Sequence, residues 1–225
     1  MIVVEVIGQG LQDILDLGGP VVMVLLATSI LTASLVLYKL WQFQASGVGR
    51  HLRLQEAVNA LDQGDRTLAL ERLEQSKSYL VPVVRIALQG SSAAISDRAD
   101  AEAEDRFARL ERGFSVLDLV AQLAPLIGLF GTVLGMIEAF QKLQTAGSSV
   151  DPSLLAGGIW VALLTTAAGL AVAMPTSLVL NWFESRMLRE RVFANRALRT
   201  VLAPLDAAQA SELDVPTEQV VLHGA

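Results

Sequence analysis

The chain has 225 residues, 52% of them hydrophobic and only 18% charged, with a net charge of −6 and no cysteine. Without cysteine there can be no disulfide, thiolate nucleophile or Cys-ligated zinc, and the acidic balance argues against a nucleic-acid binder. The two histidines, His51 and His223, lie in polar stretches and read as solvated surface residues.

The chain opens with residues 1–18, which hold Glu5, Asp13 and Asp16 but no Lys or Arg, unlike the positive start of a signal peptide. Val4, Ile7, Leu11 and Leu15 recur at helical spacing opposite Asp13, which predicts an amphipathic helix on the outer membrane surface. Gly18-Gly19-Pro20 then breaks it, and Pro20 suits the first turn of the next helix, where its missing N–H costs nothing.

Three runs carry no charged side chain: Leu17–Tyr38 (22 residues), Leu119–Ile137 (19) and Pro152–Phe183 (32). A helix needs about 20 apolar residues to cross a ~30 Å hydrocarbon core, so each run is long enough. Three such runs as buried helices of a soluble domain would leave too little polar chain to cover them. The expected architecture is all-α, with transmembrane helices over residues 19–43, 113–140 and 153–183. Between them lie a helical loop over 44–112 and a short loop over 141–152, with a tail over 184–225. Tyr38, Trp41, Trp160 and Trp182 stand near the span ends, where such rings settle at the water interface.

Basic residues set the predicted orientation. None of the 17 precedes the first span; eleven fall between Lys39 and Arg112, one (Lys142) between the second and third spans, and five after the third. With loop and tail inside, sixteen face the cytoplasm and one the periplasm, which predicts N-out, C-in topology.

The inner loop reads as helical. Leu54, Val58 and Leu61 share a face, Gly64-Asp65 marks a turn, and helix resumes over Leu68–Leu80. Pro82 opens a short helix over Val83–Leu88, and Gly90–Ser96 breaks it. From Asp97 the pattern predicts uninterrupted helix into the second span, with Phe107, Leu110, Phe114 and Leu117 on one stripe. The third span should likewise extend beyond the membrane, since 32 residues at 1.5 Å each exceed the bilayer core. Ala207–Ala225 has weak periodicity.

Spans two and three share a pattern. Gly128, Thr132, Gly135 and Ala139 stand at offsets 0, 4, 7 and 11, as do Ala162, Thr166, Gly169 and Ala173. These offsets form one narrow face of a helix. Such small residues let helices approach closely in lipid. The threonines then either pack, with hydroxyls returned to backbone carbonyls, or line a path and offer oxygens to an ion. No Asp, Glu, Lys, Arg or His lies within a span; Asp118 and Glu138 sit at the ends of the second. Intramembrane carboxylates are the usual proton carriers, so any proton flow needs a carboxylate from another subunit. No nucleophile–base pair, phosphate loop, metal spacing or cofactor motif appears, and the chain does not read as an enzyme.

The run Leu123-Ala-Pro-Leu-Ile-Gly-Leu-Phe-Gly-Thr-Val-Leu-Gly-Met136 resembles the second-span signature of the ExbB/TolQ/MotA family of ion-driven motor subunits. Ala162-Leu-Leu-Thr-Thr-Ala-Ala-Gly-Leu-Ala-Val-Ala-Met-Pro175 resembles its third-span signature. Ala57–Leu80 and Ala108–Gly113 are also similar to ExbB and TolQ, and three spans fit that branch and not the four-span MotA. The resemblance implies a homo-pentamer in the bacterial inner membrane around single-span ExbD/TolR-like helices, whose Asp takes H⁺ or Na⁺. It further implies coupling to a TonB/TolA-like protein and mechanical work on the envelope. It carries ion-pathway roles to Thr132 and Thr166, with Thr165 an added hydroxyl, and helix-packing roles to Gly128, Gly131, Gly135, Ala162, Gly169, Ala173, Pro125 and Pro175. Val161 stands where ExbB and TolQ usually have Glu, a departure that MotA-type chains share. A structural membrane scaffold and a stand-alone ion channel are the competing readings.

Overall fold

The computed structural model describes residues 2–145 and 152–204. Every element among them is helical: α1 (Ile2–Ala45), α2 (Leu52–Asp62), α3 (Arg66–Glu74), α4 (Val81–Ala87), α5 (Ala93–Glu111), α6 (Phe114–Thr145) and α7 (Pro152–Leu202). Among the described residues three helices are long and apolar enough to cross a membrane: α1 from Gly19, α6, and α7 from Leu155. Their outer surfaces are those of lipid-facing helices, with Leu31 71% and Leu178 74% exposed and Ile30, Leu126, Phe130 and Leu163 similarly bare. Tyr38, Trp41, Trp160 and Trp182 are also exposed, as interfacial rings would be.

The chain divides into two compact units, Met1–Leu40 with Arg112–Ser185, and Trp41–Glu111 with Arg186–Ala225. The first holds the charge-free helices. Gly19, at φ 64° and ψ −168°, puts a kink ahead of Pro20 in α1, in a region that glycine enters without steric cost. Side chains of residues 2–18 lie outside the described set, so the predicted amphipathic face is not visible there. The core of this unit is Leu25 of α1, Ala124 of α6 and Ala173 of α7, flanked by Val21, Ile127, Ala168 and Val172. Near the end of the apolar stretch Phe114 stacks on Phe183 at 5.5 Å. Lys39 is buried beside them, its ammonium 5.7 Å from the Phe114 ring centre.

The second unit is a small helical bundle in which α2 packs on α3 and α4 on α5. Leu54, Ala57 and Val58 of α2, Ala69 and Leu73 of α3, and Phe107 and Leu110 of α5 are buried. The Gly64-Asp65 turn forms as the residues dictate. Gly64 takes φ 81°, and the Asp65 carboxylate caps α3 by accepting from the Leu68 N–H at 3.0 Å. Three sequence expectations are not met, the first because the break expected over Gly90–Ser96 closes early, with α5 beginning at Ala93. Helix does not continue from Leu68 to Leu80, because α3 ends at Glu74 and residues 75–80 form a loop that carries Ser78 and Tyr79 inward. Nor is helix continuous from Asp97 into the second span: Arg112-Gly113 separates α5 from α6, with Gly113 at φ 99°. Periodicity survives across a two-residue break, so the stripe Phe107, Leu110, Phe114, Leu117 concealed it; all four are buried.

Candidate functional site

In the first unit α6 and α7 approach each other closely along a glycine seam. A β-carbon on Gly128 would lie 2.8 Å from the Thr165 carbonyl oxygen and 3.3 Å from the Gly169 Cα. One on Gly169 would lie 2.5 Å from the Ala124 carbonyl oxygen, and one on Gly131 would strike the Thr165 hydroxyl at 2.6 Å. Farther along, Gly135 faces Ala162 and Gly158 faces Ala139, with virtual β-carbon distances of 3.1 and 2.4 Å to their methyls. Backbone thus lies on backbone, which only the absence of a side chain allows. Ala173 turns instead toward Leu25 and Ala124. Pro125 lies within α6 and is partly buried; Pro175 lies within α7 and is exposed.

The threonines divide unevenly over this seam. Thr165, 2% exposed, donates to its own helix at Ala162 O (2.7 Å) and across the seam to Gly128 O (3.1 Å). Thr166 also reaches Gly128 O, at 3.3 Å. Thr132 does not join them: its hydroxyl donates to Leu129 O of its own helix at 2.6 Å. Within one chain the structure therefore brings Thr165 and Thr166 onto one α6 carbonyl and leaves Thr132 apart. The matching offsets could not reveal this: they put Thr132 on the same stripe as Gly128, Gly135 and Ala139, which face α7, without saying whether a hydroxyl crosses the seam or turns back to its own helix. Val161, one residue before Ala162, is partly buried.

The second unit holds a polar cluster that sequence reasoning missed. His51 is not a solvated surface residue; it is 8% exposed and stacks on Phe193 at 4.6 Å. Its Nε2 lies 2.6 Å from Glu190 Oε2 and its Nδ1 2.8 Å from the Ser78 hydroxyl. Tyr79 donates to the same Glu190 oxygen at 2.9 Å. Burial pushes the Glu190 carboxyl up, but the His51 hydrogen bond and charge, the Tyr79 hydroxyl and Arg186 outweigh it and hold the group below the ordinary carboxylate value. Burial, and then the Glu190 charge, push the Tyr79 phenol well above its usual range. Nearby, Arg191 pairs with Glu104 and Glu111 and covers the Phe107 ring at 4.8 Å. Glu190 lies two turns past the charge-free stretch of α7, and its helical spacing from Met187, Ala194 and Ala197, all buried, was the available signal. His51 had none, standing alone in a polar loop. His223 lies outside the described residues.

No group of His, Cys, Asp and Glu that could hold a metal occurs among the described residues. What fold and seam define is a multi-pass helical membrane protein whose α6 and α7 pack through glycine and threonine, with no charged residue over Leu119–Ile137 or Pro152–Phe183. The chain belongs to the MotA/TolQ/ExbB proton channel family, which it matches over residues 62–194. It is 30% identical to the Biopolymer transport protein ExbB of Neisseria meningitidis over 228 aligned positions, covering 88% of this chain and 93% of that one. It is 48% identical over 63 residues to Biopolymer transport protein exbB1 of Vibrio cholerae, covering 28% of each chain. It is 46% identical over 82 residues to Putative biopolymer transport protein ExbB-like 1 of Synechocystis, covering 36% of this chain and 32% of that one. These two stronger local matches therefore span about a third of those relatives' length.

Proposed function

We propose that this chain is the multi-pass subunit of an ExbB-type complex that converts an ion gradient across the bacterial inner membrane into mechanical work. One observation carries the reading. A member of a proton channel family presents a tight α6–α7 seam with hydroxyl groups beside it, yet no ionisable side chain in the charge-free stretches. A proton needs a titratable carrier to cross hydrocarbon, so the carboxylate must come from a partner, here an ExbD/TolR-like single-span helix bearing an Asp. Five copies of the chain would surround such helices, N-terminus out, with sixteen of its seventeen basic residues inside. The ion is H⁺, or Na⁺ if neutral hydroxyl and carbonyl oxygens suffice as ligands, and a TonB/TolA-like protein receives the work.

The test is reconstitution into liposomes with an imposed proton or sodium gradient. The chain alone is expected to leave the gradient intact, and the chain purified with its single-span partner to dissipate it. Rapid, specific proton uptake by the chain alone would overturn the division of labour and favour a stand-alone channel. A complex that contains the partner in fixed ratio yet passes no ion would leave only a scaffold.

A further inference from the structure

Away from the α6–α7 seam the first unit holds a second feature, whose meaning depends on the spans lying in a membrane and not on ion flow. A cleft of about 230 Å³ opens between α1 and α7, lined by Ser29, Thr32 and Val36 on one side and Ala171, Pro175 and Thr176 on the other. All lie inside charge-free stretches. Thr32 stands six residues before Tyr38, roughly 9 Å along the helix from the interfacial ring. The surrounding solvent at that depth is hydrocarbon, in which a hydroxyl without a hydrogen bond is strongly disfavoured.

Helix hydroxyls ordinarily avoid that cost by donating to the carbonyl one turn back. Thr28 and Ser34 of α1 do so at 2.8 Å, and Thr176 and Ser177 of α7 at 2.7 and 3.0 Å. Thr32 does not. It is 7% exposed, and its hydroxyl makes no hydrogen bond among the described residues. No side-chain oxygen or nitrogen in the described set is both fully enclosed and unpartnered, so the Thr32 oxygen faces the cleft. Ser29, one turn earlier on the same wall, likewise makes no bond there.

The opposite wall supplies the complement. Pro175 has no N–H, so the Ala171 carbonyl loses its α-helical donor. Residues bearing a donor–acceptor hydroxyl and a carbonyl deprived of its i+4 donor thus line one cleft, far roomier than the 10–15 Å³ that one water occupies. We propose that this cleft is a hydration site within the membrane, where water bridges the Thr32 and Ser29 hydroxyls to the Ala171 carbonyl. Hydrocarbon from a lipid chain, or the apolar face of a second copy, would satisfy none of these groups.

The absence of cysteine makes a clean test available. Thr32→Cys, Ser29→Cys and, as a lipid-facing neighbour, Leu31→Cys would each be made in the full chain, kept in membranes with its partner. Each is treated with 2-aminoethyl methanethiosulfonate, which reacts with the thiolate and so requires water at the sulfur. Thr32→Cys is expected to react at least tenfold faster than Leu31→Cys; a smaller ratio means a dry cleft, filled by lipid or protein, and overturns the proposal. If Thr32→Cys does not assemble, Ser29→Cys carries the same criterion. Adding Pro175→Ala restores an N–H to the Ala171 carbonyl and should slow the Thr32→Cys reaction at least threefold. An unchanged rate overturns the carbonyl's part.

Discussion

At the scale of single residues, Thr132, Thr165 and Thr166 are chemically alike and structurally unlike. Thr165 is enclosed, with its hydroxyl on two carbonyls; Thr166 makes one longer bond across the seam; Thr132 is bonded only to its own turn. Thr→Val keeps the shape and removes the oxygen. If the hydroxyls of Thr132 and Thr166 serve the ion, their valine variants should lose energy-dependent activity while the oligomer survives. Packing alone predicts full activity in both, with stability changes near 0.6 kcal/mol, the average measured for interhelical bonds in membranes. Thr165→Val should show the largest loss of heat resistance of the three, because it removes a donor from the tightest part of the seam. Cell-based activity beside oligomer yield, measured for all three, separates the readings.

At the scale of helices, the seam makes a prediction about backbone distance. A methyl on Gly169 would sit 2.5 Å from a carbonyl oxygen, so α6 and α7 must part. Gly157, two residues after Leu155 on the same helix, has nothing within 4 Å of its virtual β-carbon. Gly169→Ala should therefore cost about 1–3 kcal/mol through overpacking, seen as lower heat resistance of the purified protein. Gly157→Ala should be neutral or gain up to about 1 kcal/mol from helix propensity. Equal effects of the two would mean that helix propensity, not contact, governs the seam.

At the scale of the whole molecule, acid stability should report on the His51–Glu190 cluster. Glu190 titrates below its ordinary value of 4.5 in the folded chain. Its contribution is therefore fully present above about pH 4.5 and is lost as pH falls through the lower folded value. Glu190→Gln should remove that acid-side loss and lower stability at pH 7. Glu190→Ala should cost more, about 3 kcal/mol, by leaving His51 and Tyr79 buried without their shared acceptor. Melting temperatures of the three forms from pH 3 to 7 check the sign. Unchanged pH dependence in Glu190→Gln would assign acid lability to other carboxylates. The charge-free stretches Leu17–Tyr38, Leu119–Ile137 and Pro152–Phe183 supply hydroxyls and carbonyls but no acidic, basic or histidine side chain, so on the reading proposed above the gradient experiment includes the partner.

The membrane class, the three spans and the family were legible in the sequence, because each follows from runs of consecutive residues. Hydrocarbon excludes charge over some 20 positions at a time, and the glycine–threonine signatures of spans two and three are contiguous. The Gly64-Asp65 turn and the kink before Pro20 were likewise local. Other features depended on which faces meet, and the sequence leaves that open. Gly113 could as well have sat in a continuous helix as in the break that ends α5. Thr132 and Thr166 share offsets, but only the tertiary structure decides that the Thr165 and Thr166 hydroxyls cross the seam to Gly128 while the Thr132 hydroxyl turns back to its own helix. His51 and Glu190 lie 139 positions apart, and no periodicity relates them. Their pairing exists because α7 brings Glu190 to the loops that carry His51, Ser78 and Tyr79, and an ionised carboxylate buried there is stable only with those donors around it.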